Sequence, residues 1–489
     1  MAKDVWHTRK RNLSLNNHEY KNQGTQLNSK HKVGSFKEYM RSIFKRAVDA
    51  SLPEISRSKS CTKVLWKPMI FLCCLVGFCY QTGSFLEYYW SFPTITFVEN
   101  SNPFDIIFPA ITFCSNNQIS RQVYCKKNGS SCQFEENRKL FCKKYPRYCY
   151  IPNKIYTGVP SDEDIHERMI TISWEDAVEG TSNENLIDDC YKEDDENKTI
   201  CSIRRFPLVL KANNPSFCFT VDSQMNEPYA TDDIYPNTFA YYILMRTYPE
   251  DYFFYDDEVL IYAAVHNRKH LVNPYTEGVT LKGGYRYSFF ASMREDIRLP
   301  FPYKTNCTDY IGLWRKNKGT GPLSEQACIE YCKLRKLKSN DMCIDEFTWY
   351  APHQEMLCSF GDTSATNKMI KDCHRECQPA CLEQKYEAQY EEVEFGSRLC
   401  RKHDEPCKVS FIHVRVSFRR FRLSRHTVQP KYKSIEVFSY IGGYMGMWLG
   451  ISLLSIFDLL ESCFNLLRYP LEKKYKLKKG KYVKSLIIV

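Results

Sequence analysis

The residues with the most evident chemistry lie near the C-terminus, where small and polar side chains interrupt an apolar segment. Gly442, Gly446 and Gly450 recur every four residues, so on a helix they share one face and allow another helix to come close. Hydroxyl and carboxylate groups follow along the same segment, at Ser452, Ser455, Asp458 and Glu461. A span of this kind is typical of a pore wall, although the same pattern would suit a dimerising span whose acids mark the cytosolic interface.

Two apolar segments are long enough to place this pore candidate in a membrane. The first covers residues 66–89 and follows Lys63, and the second covers residues 437–461. Each can cross a bilayer as a helix, and basic residues before the first span predict a cytoplasmic N-terminus. We therefore expect a multi-pass plasma-membrane protein with both termini in the cytoplasm. The predicted parts are a cytoplasmic tail (1–65), a first transmembrane helix (66–89), an extracellular domain (90–436), a second, pore-lining transmembrane helix (437–461) and a basic cytoplasmic tail (462–489).

Basic residues are concentrated in the two tails. The first 67 residues contain fifteen Lys and Arg against five acids, and residues 462–489 contain eight against Glu472, whereas the whole chain carries only +11. This distribution argues against a nucleic-acid partner and fits two tails at an anionic bilayer surface. Basic tails also bind RNA or direct trafficking in some proteins, but here each tail abuts an apolar span. Residues 1–60 contain no apolar core of a signal peptide, so we expect the first span to direct membrane insertion.

The cysteines are concentrated in the predicted extracellular domain. Eighteen of the 23 lie between Cys114 and Cys407, a density that indicates disulfides in an oxidising compartment. The same stretch contains three N-glycosylation sequons, at Asn128, Asn197 and Asn306.

Two groups of cysteines have helical spacing. Four residues separate Cys328 from Cys332, and the same interval separates Cys373, Cys377 and Cys381. If both groups lie on antiparallel helices, a ladder of bridges can join them. The nested order predicts Cys332–Cys373, Cys328–Cys377 and, outermost, Cys307–Cys381. Zinc binding with His374 is the alternative, but zinc sites more often use two-residue spacings.

The hydropathy pattern of the extracellular domain indicates an α+β fold. Alternating runs at 241–245, 259–265 and 410–418 predict strands, whereas residues near 322–338 and 364–392 have helical patterns. The class predicted is an α+β membrane protein in which two transmembrane helices flank a large disulfide-rich extracellular domain.

Six landmarks, in order along the chain, resemble motifs of the epithelial sodium channel, degenerin and acid-sensing ion channel superfamily. They are the segment leaving the first span (88–96), Phe-Pro-Ala-Ile-Thr-Phe-Cys (108–114), Ser-Phe-Cys-Phe-Thr (216–220), Arg-Leu-Pro-Phe-Pro-Tyr (298–303), the cysteine spacing of 373–381, and the glycine-rich run ending in Gly-Ile-Ser (442–452). Each landmark alone is a weak signal, but six in order are specific.

The resemblance implies a trimer whose subunits each have a β palm, a helical thumb and a looped finger above two transmembrane helices. It assigns the selectivity tract to Gly450, Ile451 and Ser452. Groups that attract cations follow at Ser455, Asp458 and Glu461. Three backbone carbonyls or hydroxyls in a ring can replace part of the hydration shell of an ion, and carboxylates raise the local cation concentration.

The resemblance also implies gating residues and further disulfides. The gating group comprises Ser439, Gly442, Gly443 and Gly446, with an aromatic contact of Tyr88 or Tyr89 against Tyr303. The implied disulfides are Cys114–Cys218, Cys190–Cys201 and Cys343–Cys358. Six extra cysteines allow three more pairs, for which Cys125–Cys149, Cys132–Cys142 and Cys400–Cys407 are our hypotheses, with the pairing among the first four left open.

Three departures from the family pattern bear on function. The His-Gly pair that family members carry before the first span, where it shapes gating, is replaced here by Pro53 and Glu54, so an accessory subunit needing a partner stays an alternative. The usual Cys-x-Cys of the thumb reads Cys343-Ile-Asp345, so one bridge is missing. Tyr440 replaces an acid before the paired glycines, which weakens any expectation of calcium block.

The chain is therefore predicted to be a subunit of a trimeric, sodium-selective, amiloride-sensitive cation channel that is gated through its extracellular domain. Sodium is the permeant ion, no cofactor or metal is expected, and the partners are related subunits in a homotrimer or heterotrimer, with protons or a peptide as candidate ligands. The alternatives are a non-conducting accessory subunit and an ATP-gated trimeric receptor, which would need clustered Lys and Arg for phosphates. An enzyme is not expected, because residues 450–452 lack the second glycine of a nucleophile elbow.

Overall fold

The computed structural model of the chain describes residues 61–117, 119–133, 137–149, 158–160, 173–183, 186–193, 198–210, 213–225, 227, 230–350, 356–359, 361–394, 409–418 and 422–452, with positions 455, 457, 460, 461, 464 and 468. The chain divides into two compact units. The helical unit is formed by Met1–Ser91 and Tyr432–Val489, and the β-rich unit by Phe92–Lys431. Predictions for Pro53, Glu54, Asn197, Cys400, Cys407 and Asp458 lie outside the described residues.

The helices differ greatly in length. In chain order they are α1 Cys61–Trp90, α2 Arg121–Lys127, α3 Arg138–Lys144, α4 Trp174–Asn183, α5 Pro274–Glu277, α6 Tyr310–Lys316, α7 Glu325–Ser339, α8 Asn367–Glu376 and α9 Ser434–Leu449. Side chains that precede several helices satisfy their first N–H groups: the hydroxyl of Ser324 accepts from the N–H of Ala327 before α7, and the hydroxyl of Thr366 accepts from the N–H of Met369 before α8.

The strands lie in the β-rich unit. In chain order they are β1 Thr94–Ser101, β2 Asp105–Ile107, β3 Ala110–Ser115, β4 Cys132–Gln133, β5 Val159–Pro160, β6 Ile187–Glu193, β7 Lys198–Ile200, β8 Ile203–Val209, β9 Pro215–Val221, β10 Ile234–Pro236, β11 Ala240–Arg246, β12 Leu260–His266, β13 Val279–Lys282, β14 Tyr285–Ile297, β15 Leu382–Glu394, β16 Phe411–Ser417 and β17 Leu423–Pro430.

Two larger sheets organise this unit. The main sheet has the order β1-β17-β14-β16-β11-β6-β7, with β15 paired to β14, and the smaller sheet has the order β13-β12-β3-β9-β8. Alternation decides which face is buried: in β16, Ile412, Val414 and Val416 are buried, while Arg415 on the other face is exposed. These side chains pack with Phe113 and other residues of both sheets in one core.

The prediction of a helical pattern over 364–392 is wrong for its second half. Helix α8 ends at Glu376, and β15 begins at Leu382. Pro379 cannot donate to a continuing helix, and β14 pairs with all thirteen residues of β15. Long-range pairing therefore decides the structure of a segment whose residues individually favour a helix.

The second predicted span is not one continuous helix over 437–461. Helix α9 ends at Leu449, and Gly450 adopts a left-handed conformation with φ of 61°. This conformation ends helices and suits glycine, which has no Cβ. Positions 455, 457, 460 and 461 are again helical. Within the described part of the chain, Pro68–Trp90 of α1 is the one helical stretch long and apolar enough to cross a membrane by length and composition.

Eight disulfides join cysteines among the described residues. They are Cys114–Cys218, Cys125–Cys132, Cys142–Cys149, Cys190–Cys201, Cys307–Cys381, Cys328–Cys377, Cys332–Cys373 and Cys343–Cys358. Six of these pairs are the ones expected from the nested spacing and the family resemblance.

The hypothesised pairs Cys125–Cys149 and Cys132–Cys142 are wrong. Each bridge instead joins cysteines seven residues apart. A short helix followed by a 3₁₀ turn returns the chain on itself in both places. The return brings the Cα atoms of Cys125 and Cys132 to 5.5 Å, well within the span of a disulfide.

Candidate ion pathway

The predicted selectivity tract lies where a helix ends. The N–H of Gly450 donates to the carbonyl of Gly446 at 3.1 Å, and Ile451 and Ser452 are not helical. The last carbonyls of a helix have no partners within it. Within a membrane, non-helical backbone is tolerated where protein covers it or where it lines a water-filled cavity. In the single chain, Gly450 and Ser452 are exposed and no other part of the described chain covers them.

The hydroxyls of the tract are brought together by a local turn. The Ser452 hydroxyl accepts from the backbone N–H of Ser455 at 3.2 Å, and the two side-chain oxygens are 3.0 Å apart. Ser452 therefore acts as an N-cap for the helical positions that follow. Glu461 is helical and exposed, and no cluster of metal-binding residues is found in the described part of the chain.

The glycine face upstream of the tract is open. A Cβ added at Gly442, Gly443 or Gly446 would have no atom within 4 Å in the single chain. Ser439 lies on the same helix, and its hydroxyl donates to the carbonyl of Ile435 at 3.1 Å. The predicted gating residues of α9 are therefore uncovered within one subunit, and the close helix contact predicted for the glycines does not form with α1.

The close approach between α1 and α9 uses a different glycine. A Cβ at Gly77 would lie 2.8 Å from the ring of Trp448. One turn along α1, the side-chain carbonyl of Gln81 accepts a hydrogen bond from the indole N–H of Trp448 at 2.6 Å. Sequence reasoning missed these three residues, although a single amide side chain within an apolar span is a signal for a specific partner.

Aromatic rings form a second contact between the helices. The Phe85 ring is buried, and its centroid lies 5.4 Å from that of Tyr432 and 5.1 Å from that of Tyr440. Tyr88 also contacts Tyr432, with ring centroids 6.1 Å apart. Tyr440, which replaces the acid common in the family, is thus a packing residue.

In the β-rich unit, β1 and β17 form an antiparallel ribbon. The register runs from Thr94 opposite Pro430 to Ser101 opposite Leu423. Beyond the ribbon, the N–H of Lys431 donates to the carbonyl of Pro93 at 2.9 Å. The ring of Tyr303 packs against Phe92, with centroids 5.5 Å apart. The contact of Tyr303 with Tyr88 or Tyr89 stays a prediction.

Ion pairs join the ribbon to the long strands β14 and β15. The guanidinium of Arg425 on β17 lies 2.5 Å from the carboxylate of Glu295 on β14. Just beyond β14, Arg298 reaches Glu383 of β15 at 2.7 Å. Burial alone would raise the pKa of Glu383, but hydrogen bonds from Lys385 and Arg298 outweigh it, so the pKa is lowered. Glu383 is therefore ionised at neutral pH and holds β15 to its neighbours.

Helices α7 and α8, which we call the thumb after the family pattern, carry the predicted disulfide ladder, with Cys332, Cys373 and Cys377 buried around Ile329. At the position where the family has a second cysteine, the Asp345 carboxylate is fully buried. It accepts hydrogen bonds from the N–H groups of Ser364, Ala365 and Phe347 at 2.7, 2.8 and 3.1 Å. These bonds tie the segment around Asp345 to residues 364 and 365.

Two of the three predicted glycosylation sites lie on the surface. Asn128 and Asn306 are both exposed, as attachment of a glycan requires.

Comparison with known proteins identifies the family. The model of the amiloride-sensitive sodium channel family matches residues 50–462. Degenerin del-1 of Caenorhabditis elegans is 21% identical over 270 residues, which cover 50% of this chain and 40% of del-1. Degenerin mec-4 of Caenorhabditis briggsae is 24% identical over 256 residues, which cover 45% of this chain and 32% of mec-4. The chain thus matches less than half the length of either relative.

A solved structure was also found. The cryo-EM structure of a proton-activated chloride channel aligns with 82% of this chain and 98% of its own, at 9% sequence identity and a TM-score of 0.31. That score is too low to support an argument about fold or assembly.

A long apolar helix, a second helix that ends at a glycine and a disulfide-rich β unit, taken with the family match, define a membrane protein of the ion-channel class. The chain belongs to the amiloride-sensitive sodium channel family. This is a family of channels and not of enzymes, so membership supports a cation-channel subunit.

Proposed function

We propose that the chain is a pore-forming subunit of a trimeric, sodium-selective, amiloride-sensitive channel in the plasma membrane, with both termini cytoplasmic. The observation that carries the proposal is the end of α9 at Gly450, inside the apolar segment predicted to span the membrane. Three copies of the 450–452 tract around an axis would supply a ring of carbonyl and hydroxyl oxygens to a partly dehydrated Na⁺.

The β-rich unit is proposed to gate this pore. Strand β1 directly follows the first span and β17 directly precedes the second, and their eight-residue pairing stiffens both connections. Ion pairs and the disulfide ladder extend this stiffness into β14, β15 and the thumb. A protein built in this way can transmit movement of an extracellular ligand site, for protons or a peptide, to both spans.

Two-electrode voltage clamp of the chain in oocytes tests the proposal. Wild type and Ser439→Lys are compared in external sodium and then potassium, with amiloride added last. We expect a sodium-preferring, amiloride-blocked current that is larger for Ser439→Lys, because a bulky charged side chain on the open face of α9 opposes closure. Asp458→Lys should reduce the cation conductance, since it replaces an attracting charge by a repelling one.

An accessory subunit is the second candidate, suggested by Pro53 and Glu54 in place of the family's His-Gly pair. If the chain is an accessory subunit, wild type and Ser439→Lys should both give no current although each reaches the cell surface, and co-expression of a related subunit should restore the current. Potassium-preferring current or current without cation selectivity would contradict the assignment of the selectivity tract. The family match gives no support to an ATP-gated receptor.

A further inference from the structure

The contact between Gly77, Gln81 and Trp448 is placed close to the selectivity tract. Trp448 lies two residues before Gly450, in the last turn of α9. Gly77 and Gln81 are four residues apart on α1, so they lie one above the other on the same face of that helix. Gly77 provides the space for the indole ring, and Gln81 binds the indole N–H at 2.6 Å.

The chemistry of the two side chains makes the hydrogen bond specific. An indole N–H can only donate, and the Gln81 carbonyl that receives it is a strong acceptor. In an apolar surrounding neither group can be satisfied by lipid. Loss of one partner therefore leaves the other polar group unsatisfied, which favours a different rotation of the last turn of α9.

We propose that Gln81 is a positioning residue for the selectivity tract, acting through Trp448; this inference rests on the proposed function. Its hydrogen bond fixes the rotation of the last turn of α9, and this turn determines where the carbonyls of residues 450–452 point. The pair also links the two spans of one subunit at the depth of the tract, so movement of α1 changes the tract directly.

The test is the sodium-to-potassium permeability ratio, measured from reversal potentials in the Ser439→Lys background. Gln81→Leu keeps the volume and removes the acceptor, and Trp448→Phe keeps a ring over Gly77 and removes the donor. A typical interhelical hydrogen bond in a membrane alters an equilibrium about threefold, and a strong one roughly tenfold. We expect each variant to lower the permeability ratio by about threefold or more.

The double variant distinguishes positioning from general damage. If the two side chains act through one hydrogen bond, Gln81→Leu with Trp448→Phe should lower the ratio no further than the stronger single change. Ser84→Ala and Trp66→Phe are matched controls, since both side chains are exposed on α1, and they should keep the wild-type ratio. An unchanged ratio in Gln81→Leu, or fully additive single effects, overturns the proposal.

A chemical readout separates this proposal from the function on which it rests. In surface-expressed protein, Ser452→Cys is labelled by a membrane-impermeant maleimide, and the rate is followed by mass shift. We expect Gln81→Leu to change the rate about threefold or more and Ser84→Ala to leave it unchanged, whether or not the chain conducts alone. If Ser452→Cys is labelled at the same rate with and without Gln81→Leu, the positioning role is overturned. If the labelling rate changes but the chain gives no current, the result counts only against conduction.

Discussion

The β-rich unit and the helical unit are stabilised in different ways. All eight disulfides among the described residues lie in the β-rich unit, together with a core that reaches complete burial at Ile111, Ile261 and Ile412. In the described part of the helical unit, α1 and α9 contact each other through a group of aromatic rings, the Gly77–Trp448 contact and the hydrogen bond between Gln81 and Trp448. Covalent bridges resist separation in every state of a protein, whereas a hydrogen bond and packed rings can be exchanged for others. The difference is consistent with the proposed roles, in which the β-rich unit is rigid and the helical unit changes conformation.

The largest expected effect comes from removing a rung of the thumb ladder. Cys307 and Cys381 are 74 residues apart, but the inner bridge Cys328–Cys377 already closes 49 of them, so the outer bridge closes a further loop of 25 residues. Cys142 and Cys149 are seven residues apart. Loop-closure entropy predicts a loss of about 3.5 kcal/mol for the outer rung and about 2 kcal/mol for the Cys142–Cys149 pair when both cysteines become alanine. Thermal unfolding of the purified chain should show the larger fall in midpoint for Cys307→Ala with Cys381→Ala, and equal falls would contradict an entropic origin.

The second effect concerns the buried carboxylate that occupies the position of a family cysteine. Asp345→Ala leaves three N–H groups without their acceptor, so we expect a loss of about 3 kcal/mol. Asp345→Asn keeps one acceptor oxygen and should cost roughly half as much. Glu346→Ala, at an exposed neighbouring position, is the control. Differential scanning fluorimetry checks the order, and a neutral Asp345→Ala would show that these hydrogen bonds do not restrain the thumb.

A third effect is a pH dependence that originates in the β-rich core. Burial lowers the pKa of His266 to about 4; its Nδ1–H donates to the carbonyl of Asn267, and its Nε2 accepts from the hydroxyl of Thr112. The His266 imidazole binds a proton near pH 6.5 in the unfolded chain but only near pH 4 in the folded chain, so the free energy of unfolding falls as the pH falls through this window. At pH 5 this loss of stability is about 2 kcal/mol.

His266→Gln tests this dependence, because glutamine does not titrate. Its thermal midpoint should fall less between pH 7 and pH 5 than that of wild type. His374→Gln is the control, since this imidazole is exposed on α8, and it should retain the wild-type slope. Burial lowers the pKa of His270 to about 4 as well, so a residual slope in the same direction is expected; an unchanged slope would exclude His266 as a contributor.

The smallest expected effect lies in the helical unit. Gly77→Ala places a methyl group 2.8 Å from the Trp448 ring, and overpacking of this kind costs about 1–2 kcal/mol. Gly83→Ala on the same helix meets no atom within 4 Å and should be neutral or slightly stabilising. Fluorescence-detected size exclusion after heating compares the two, and equal behaviour would indicate that α1 and α9 are not closely packed there.

The sequence was sufficient for features with a local pattern. The interval of four between cysteines predicted the thumb ladder, and glycine periodicity pointed to the segment that contains the end of α9. The equal intervals of seven at Cys125–Cys132 and Cys142–Cys149 are also a local signal, and they distinguish the observed pairs from the hypothesised ones.

Features that depend on distant partners could not be predicted. The residues of β15 individually favour a helix, and the strand forms because β14 supplies hydrogen bonds along its whole length. Gln81 and Trp448 are 367 residues apart, so no local pattern in the sequence can show that they form a pair. In the sequence, Asp345 is recognisable only as the replacement of a family cysteine, because the three N–H groups that donate to it are brought together by the fold of the thumb.

The ribbon of β1 and β17 has a consequence for how the polypeptide is connected. Because Lys431 donates to Pro93 across 2.9 Å, the β-rich unit begins and ends at the same point. Such a unit is an insertion within a helical hairpin, and its closely spaced ends make it portable. It can be excised and closed by a short linker, or grafted between the helices of another family member, without stretching any strand.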